Sequence, residues 1–541
     1  MTEPIFFRGD HPGATISRWM HQGRAQRIAP GVYATDVRSP PEHVVARHWR
    51  TIVGHELPEA VLVDRSAVRN RPSDGFLFVD VGPIGRRSPL RLPGLTVMTR
   101  CGPGPLDGDV RDASGIWLSS QGRALADNTR HTRARSPRPA ATLTDDELAD
   151  WLDHLAAQHG VDGLLRLRAD AEQLAPATDT TATIRRVSDL IGGAVGTRPV
   201  TTGSRRLRSR QAGLPFDAQR ATLFESLANH LRGLAPTFIP EAAPERRALL
   251  PFYEAYFSNF IEGTVLDLDD AEAVVFDGVV LDAQPEDSHD VSATFALVSD
   301  EIEMRRVPAT SSDFEAILLD RHERLMAARP TKHPGRFKAI GNRAGAATFV
   351  APDAVRGTLH VGWEQIDSLD DPYHRAVLTM FVVAEVHPFD DGNGRLARIM
   401  MNAALSAGGE ARIIVPSVYR SEYLSSLAAL TLDQRPTALE RVLAFAQRWT
   451  SQIDWSDRTT ADRHLTATHA FVDPGVAMAD GIKLRLLSSV PADELSATTA
   501  AGVEHTRALG VLDAVVKATD PYETPFGRAR ADQMLPQRVR R

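Results

Sequence analysis

The run His387-Pro-Phe-Asp-Asp-Gly-Asn-Gly-Arg-Leu-Ala-Arg398 decides how this 541-residue chain is read. Ahead of it Val377, Met380, Phe381 and Ala384 recur at helical spacing, and behind it Leu396, Ile399, Met400 and Ala403 do the same. The run is therefore a loop between two helices, with Gly392 and Gly394 relieving the backbone of Cβ clashes. A loop that empties into a helix start aims unpaired N–H groups and the positive end of the helix dipole at one point. That is an anion site, most naturally for phosphates. Arg395 and Arg398 lie three apart and share a helix face, so both guanidinium groups reach one polyphosphate. Asp391 is a hard oxygen ligand suited to Mg²⁺. His387 is the one residue of the run that takes a proton near neutral pH. Together these groups describe transfer of a phosphate-containing group to a hydroxyl.

The run resembles the signature of the Fic (Fido) family, H-x-F-x-D-G-N-G-R-x-x-R, at all eight specified positions. Such a match arises by chance on the order of 10⁻⁸. The resemblance implies an all-helical domain that moves AMP from ATP onto a Tyr, Thr or Ser hydroxyl of a target protein. By the same resemblance His387 is the general base, Phe389 packs inward and Asp391 binds Mg²⁺. Asn393 and the Gly392 and Gly394 amides cradle the α- and β-phosphates, Arg395 contacts the β-phosphate and Arg398 the γ-phosphate. A target-pairing β-hairpin flap is expected at residues 344–352, with Thr348, Phe349 and Val350 as its β-prone part.

Upstream, Phe252, Tyr253, Tyr256, Phe257, Phe260 and Ile261 form an apolar stripe at helical spacing. Pro251 suits the first turn of that helix and Gly263 its C′ position. Ser258 and Glu262 face the same way, which places a carboxylate at the helix C-terminus where a cationic partner helps. The pattern is similar to the S-x-x-x-E-G inhibitory motif of Fic proteins. That resemblance implies that Glu262 pairs with Arg398 and occupies the γ-phosphate position.

Composition sets the wider frame. Of 62 basic residues only Lys332, Lys338, Lys483 and Lys517 are lysines, the other 58 being arginines, as GC-rich coding would produce. The 43% apolar and 24% charged residues exclude wholesale disorder. One cysteine, Cys101, excludes an internal disulfide framework and cysteine-rich metal sites. The start MTEPIFFRGD lacks the pattern of a signal peptide, and the apolar stretch Ala376–Val386 is too short to span a bilayer. A soluble, cytoplasmic setting without membrane contact is expected.

The net charge of −7 divides unevenly: residues 1–140 hold 20 Arg against 13 acidic residues, leaving the remainder at −14. A boundary is expected at Arg135–Ala141, rich in Pro and Arg. Thr144 and Glu147 then have capping-box spacing, with Leu143 and Leu148 as the hydrophobic staple of a helix running to Gly160. Residues 57–120 hold strand-like runs, including Ala60–Val63 and Gly75–Val79. The stretch Thr15–Tyr33 resembles the winged-helix head of AbiEi-type antitoxin and regulator proteins, with a G-x-x-x-R-I-x-x-G-V-Y wing. The helices that support a helix-turn-helix are mostly missing before it, so DNA contact and a protein-interaction role both stay open.

The expected architecture is thus multidomain α+β: a winged-helix-like, β-rich module (1–140), a helical linker (141–212), a Fic domain with the inhibitory helix at about 250–263 (213–455), and a C-terminal extension (456–541) whose tail from Pro521 is flexible. The expected function is a self-inhibited protein adenylyltransferase using ATP and Mg²⁺ on a protein target, with a homodimer as an open assembly state. Two alternatives stay open: a Fic enzyme with another phosphate-containing donor or AMP-removing activity, and a DNA-binding regulator with a vestigial Fic domain.

Overall fold

The computed structural model describes residues 3–85, 88–195, 197, 200–344 and 347–495, and the tail expected from Pro521 lies outside them. The chain divides into two units, Met1–Gly213 and residues from Leu214 onward.

In the first unit β1 (Ile5–Phe7), α1 (Gly13–His21), β2 (Gln26–Ala29) and β3 (Val32–Ala34) form a helix and an antiparallel sheet in the order β1-β3-β2. Strands β2 and β3 pair as an antiparallel hairpin with its turn at Pro30-Gly31, where Gly31 takes φ +86°. Among the described residues α1 is the one helix preceding it.

Next come α2 (Pro41–Glu56), β4 (Val61–Leu62), α3 (Asp64–Arg69), β5 (Phe76–Asp80), β6 (Leu90–Leu92), β7 (Leu95–Arg100), β8 (Val110–Arg111), β9 (Trp117–Leu118) and α4 (Gln121–Asp127). The strands make a mixed sheet in the order β6-β7-β5-β4-β9-β8. Val44, Trp49, Ile52 and Val53 of α2 pack with Leu77, Val79 and Val97 of this sheet in one core.

The helix that starts at Thr144 has its capping box: the Thr144 hydroxyl accepts from the Glu147 N–H and the Glu147 carboxylate from the Thr144 N–H. It runs to Gly160, as expected, where the backbone leaves the helix at φ +66°, and a second helical segment follows within α5 (Asp145–Leu174). With α6 (Arg185–Ala194) and α7 (Arg205–Gln211) it shares a core that includes Leu125 and Ala126 of α4. Helices α5, α6 and α7, expected in a linker at 141–212, are therefore packed into the first unit by their own apolar faces.

The basic character of this unit is partly internal. Arg123, fully buried, donates to Asp80 at 2.8 Å and Asp109 at 2.5 Å, and Arg100 donates to Asp127 at 2.7 Å. Burial pushes the Asp127 carboxyl up to about 6.

The second unit is helical: α8 (Ala218–Arg232), α9 (Leu250–Ile261), α10 (Leu268–Phe276), α11 (Pro285–Ser299) and α12 (Ser311–Leu325), then the strand pair β10 (Arg343–Ala344) and β11 (Ala347–Thr348). There follow α13 (Val355–Asp367), α14 (Pro372–Val386), α15 (Asn393–Ala407), α16 (Arg420–Asp433), α17 (Pro436–Gln452), α18 (Arg458–Ala467) and α19 (Pro474–Asp480). The apolar stretch at Ala376–Val386 is the buried α14, packed with α15 at the centre of the largest core. Among the described residues no helix is long and apolar enough to cross a membrane.

A second core joins α9 to the C-terminal helices through Tyr253, Phe257, Trp449, Trp455 and Leu465. Tyr253 donates to Asp462 at 2.5 Å, so the helix carrying Ser258 and Glu262 is clamped from behind.

Replacing Arg123 by Ala strands two buried carboxylates. The expected loss is about 3–5 kcal/mol of stability, read by urea denaturation of the full chain against wild type.

Candidate active site

Helix α14 ends because His387 turns into the left-handed region at φ +50°, and α15 begins after Gly392 at φ +73°. The loop between them is closed by its own side chains. Asn393 accepts from the Phe389 N–H and donates to the Phe389 carbonyl, each at 2.9 Å. Phe389 is fully buried and stacks on His322 of α12 at 3.7 Å. The Asn393 side chain is therefore part of the loop's frame, 1% exposed, and what it offers an anion is its backbone N–H in the first turn of α15.

His322 is held in one tautomer. Its Nδ1 accepts from the Gly335 N–H at 3.0 Å, so its Nε2 donates to the Asp391 carbonyl at 3.1 Å. Burial pushes this imidazole down to about 4, which keeps that assignment at neutral pH.

His387 is half-buried, its ring stacked 3.8 Å from Phe349 just beyond β11. Its Nδ1 lies 3.3 Å from the Ala384 carbonyl and donates to it, leaving Nε2 with a free lone pair. Burial pushes its pKa down to about 4, so the ring is an unprotonated acceptor at pH 7.

A cleft of about 410 Å³ opens beside this ring, lined by His387, Asp391, Gly394, Arg395, Arg398 and Glu262 among others. Arg398 is 5% exposed and grips α9: its Nε donates to Ser258 Oγ at 3.0 Å, and its terminal nitrogen to Ser258 O at 2.8 Å and Glu262 Oε1 at 2.7 Å. Burial opposes the charge on Arg398, and Glu262 and Tyr423 together more than offset it. Gly394 lies so close to Glu262 Oε1 that a Cβ there would collide with it. Arg420 of α16 adds a second cation at the α9 C-terminus, donating to Ile261 O at 2.9 Å.

Arg395, 3% exposed, pairs at 2.5 Å with Asp290 of α11. Asp290 is also held by both Nε and a terminal nitrogen of Arg329, at 3.2 and 2.8 Å. The carboxylate of Asp391 accepts from the Gly392 N–H at 2.7 Å and is 38% exposed. Among the described residues no cluster of three or more acidic, His or Cys side chains is poised for a metal. One reachable carboxylate fits a Mg²⁺ held mostly by phosphate oxygens and water.

The structure thus brings His387, Asp391, Gly394, Arg395, Arg398 and Glu262 to one cleft, with Ser258 bonded to Arg398 and Gly392 to Asp391 behind its wall, Phe349 against the His387 ring and Val350 in the core. Arg343 and Ala344 pair with Thr348 and Ala347 as a short antiparallel ladder, and Thr348 is exposed. Sequence reasoning missed Asp290, Arg329, His322 and Lys338. The first three carry no local signal, whereas Lys338 stood out as one of four lysines.

Residues 313–405 match the model of the Fic/DOC family. That segment is therefore similar to Fic domains. Among curated proteins the chain is similar to the protein adenylyltransferase fic-1 of Caenorhabditis elegans, 29% identical over 194 residues, which is 34% of this chain and 38% of that one. It is also similar to the protein adenylyltransferase Fic of Nematostella vectensis, 24% identical over 234 residues, 41% of this chain and 54% of that one. The chain thus spans roughly two fifths to one half of these relatives' length. Among solved structures it is similar to residues 134–508 of C. elegans Fic-1, at 20% identity and TM-score 0.32 over 57% of this chain and 86% of that one. A Fic-domain signaling protein from Bacteroides thetaiotaomicron matches at 18% identity and TM-score 0.33, over 44% of this chain and 99% of that one.

Removing the ring that fills the loop between α14 and α15 should open a buried cavity. Phe389→Ala is expected to cost about 3–5 kcal/mol, seen as a lower urea midpoint at unchanged slope.

Proposed function

We propose that this protein transfers AMP from ATP to a hydroxyl of a target protein and that Glu262 restrains it. The observation that carries the reading is the neutral His387 ring, its Nε2 lone pair free, beside a cleft with two buried arginines at a helix start. His387 Nε2 takes the proton of the target's Tyr, Thr or Ser hydroxyl. The hydroxyl oxygen bonds to the α-phosphorus, and the bond from that phosphorus to the pyrophosphate oxygen breaks. Arg395 and Arg398, with the first N–H groups of α15, hold the phosphates and the developing negative charge. Asp391 would hold a Mg²⁺, which when bound neutralises phosphate charge. The β10–β11 pair is read as the edge along which the target backbone is aligned.

Glu262 restrains the reaction by holding the Arg398 guanidinium away from a γ-phosphate. The similarity to proteins named adenylyltransferases supports the choice of ATP over another donor. Cytoplasmic location is part of this reading, since Cys101 is free and exposed.

Labelling with α-³²P ATP tests the proposal. Glu262→Gly is expected to raise AMP incorporation at least about tenfold, and His387→Ala to lower it by roughly 10²–10⁴-fold. Equal labelling by wild type and Glu262→Gly would sink the restraint. Because the His387 ring is free of its proton above its depressed pKa of about 4, the rate should stay level down to pH ~5 and fall below that.

The N-terminal helix and hairpin are read as a winged-helix-like regulatory appendage. Arg8, Arg18, Arg24 and Arg27 are exposed on this segment and present a basic surface to an anionic partner. In a gel shift the affinity for duplex DNA should fall steeply between 50 and 200 mM salt, by about 10³-fold if six or so phosphates are contacted, and a salt-independent shift argues against the reading.

A further inference from the structure

We propose that the Lys338 ammonium is a positioning residue for His387, fixing the backbone that carries the imidazole and joining it to the ring stacked upon it. The inference deepens the reading of His387 as general base and rests on it.

Four consecutive carbonyls leave the end of α14, and Lys338 and Asn342 satisfy all of them. The Lys338 Nζ donates to His387 O at 2.7 Å and lies 3.4 Å from Val386 O. The Lys338 backbone N–H donates to Pro388 O at 2.9 Å. Its Nζ also donates to Asn342 Oδ1 at 2.6 Å, and the Asn342 amide turns its own N–H onto Phe389 O at 2.9 Å. A helix terminus leaves such carbonyls without partners, and its negative dipole end favours a cation. The same grip holds His387 at φ +50°, a conformation that a residue with a Cβ keeps only when its surroundings impose it.

The chemistry of the side chain suits the place. Three N–H bonds spread from one nitrogen meet three clustered oxygens, which a flat, wider guanidinium does not match. In a chain with 58 arginines this buried cation, 3% exposed, is a lysine. Its Nζ also lies 6.0 Å from the centroid of Phe349, the ring stacked on His387.

The charges around it are few. Burial lowers the Lys338 pKa, Asp390 favours its charge and Arg220 of α8 opposes it, with the result at about 8. Arg220 is itself paired at 2.8 Å with Glu385 of α14. In return the Lys338 charge helps to keep the His387 ring unprotonated, after burial. Lys338 is charged below about pH 8 and loses its charge above, so a positioning role adds an alkaline limb there.

The test compares Lys338→Met and Lys338→Arg in the Glu262→Gly background, reading kcat and KM for ATP from pH 6 to 10. The His387 ring is titrated by NMR in the nucleotide-free protein. Lys338→Met is expected to lower kcat by about 10²-fold with KM for ATP nearly unchanged, and to raise the His387 pKa. Lys338→Arg should recover part of the rate and move the alkaline limb beyond the range measured. Unchanged kcat in Lys338→Met, or an alkaline limb near pH 8 that persists in it, overturns the proposal. If Lys338→Met does not fold, the limb in the parent and its shift in Lys338→Arg decide. If the Glu262→Gly parent transfers no AMP, the transferase reading fails; a His387 pKa raised in Lys338→Met then supports the positioning, and an unmoved one overturns it.

Discussion

The cleft depends on one covalent constraint: between Val386 and Asn393 the chain must leave one buried helix, reverse and enter another. Each polar group exposed by that reversal needs a partner, because water does not reach most of them. The reciprocal hydrogen bonds between Asn393 and Phe389 close the loop from inside. Lys338, Asn342 and His322 take the carbonyls that remain, and the Phe389–His322 stack fills the space beneath. Only after these are met can His387 stand in a left-handed conformation with its Nε2 unoccupied.

The second constraint is charge. Arg395 and Arg398 are nearly buried, and isolated guanidinium groups there would be costly. Their partners differ. Asp290 is 2% exposed and fixed between Arg395 and Arg329, a permanent part of the wall. Glu262 stands at the more open end of α9, its side chain 30% exposed, and meets one arginine. The α9 helix itself is anchored on its far side by Tyr253–Asp462, and beside α15 by Glu254, which binds Asn402 and Arg412. A carboxylate at the free tip of an anchored helix is the part of this network that a competing anion displaces at least cost.

Much of this was legible in the residues. The loop was readable because glycines, a hard oxygen ligand and two arginines crowd into twelve positions, and chance does not assemble them. Helix α9 was readable from its aromatic stripe between Pro251 and Gly263, and the start of α5 from Thr144 and Glu147. Asp290, His322 and Arg329 were not, because each sits in an ordinary helical sequence or just past one, and matters through a partner 39 to 105 residues away. The helices of residues 145–211 looked like a linker because their apolar faces, read alone, do not say which neighbour they cover.

The sequence by itself determined the chemistry available at the loop and the helical nature of the second unit, from groups close along the chain, whereas the pairing of Glu262 with Arg398, 136 residues apart, followed only from the resemblance to the Fic inhibitory motif. The tertiary structure alone decided which lone pair of His387 is free, which carboxylate neutralises Arg395, and what holds the end of α14. Those depend on hydrogen bonds between segments far apart in sequence, and such bonds form only where packing brings their donors and acceptors within about 3 Å.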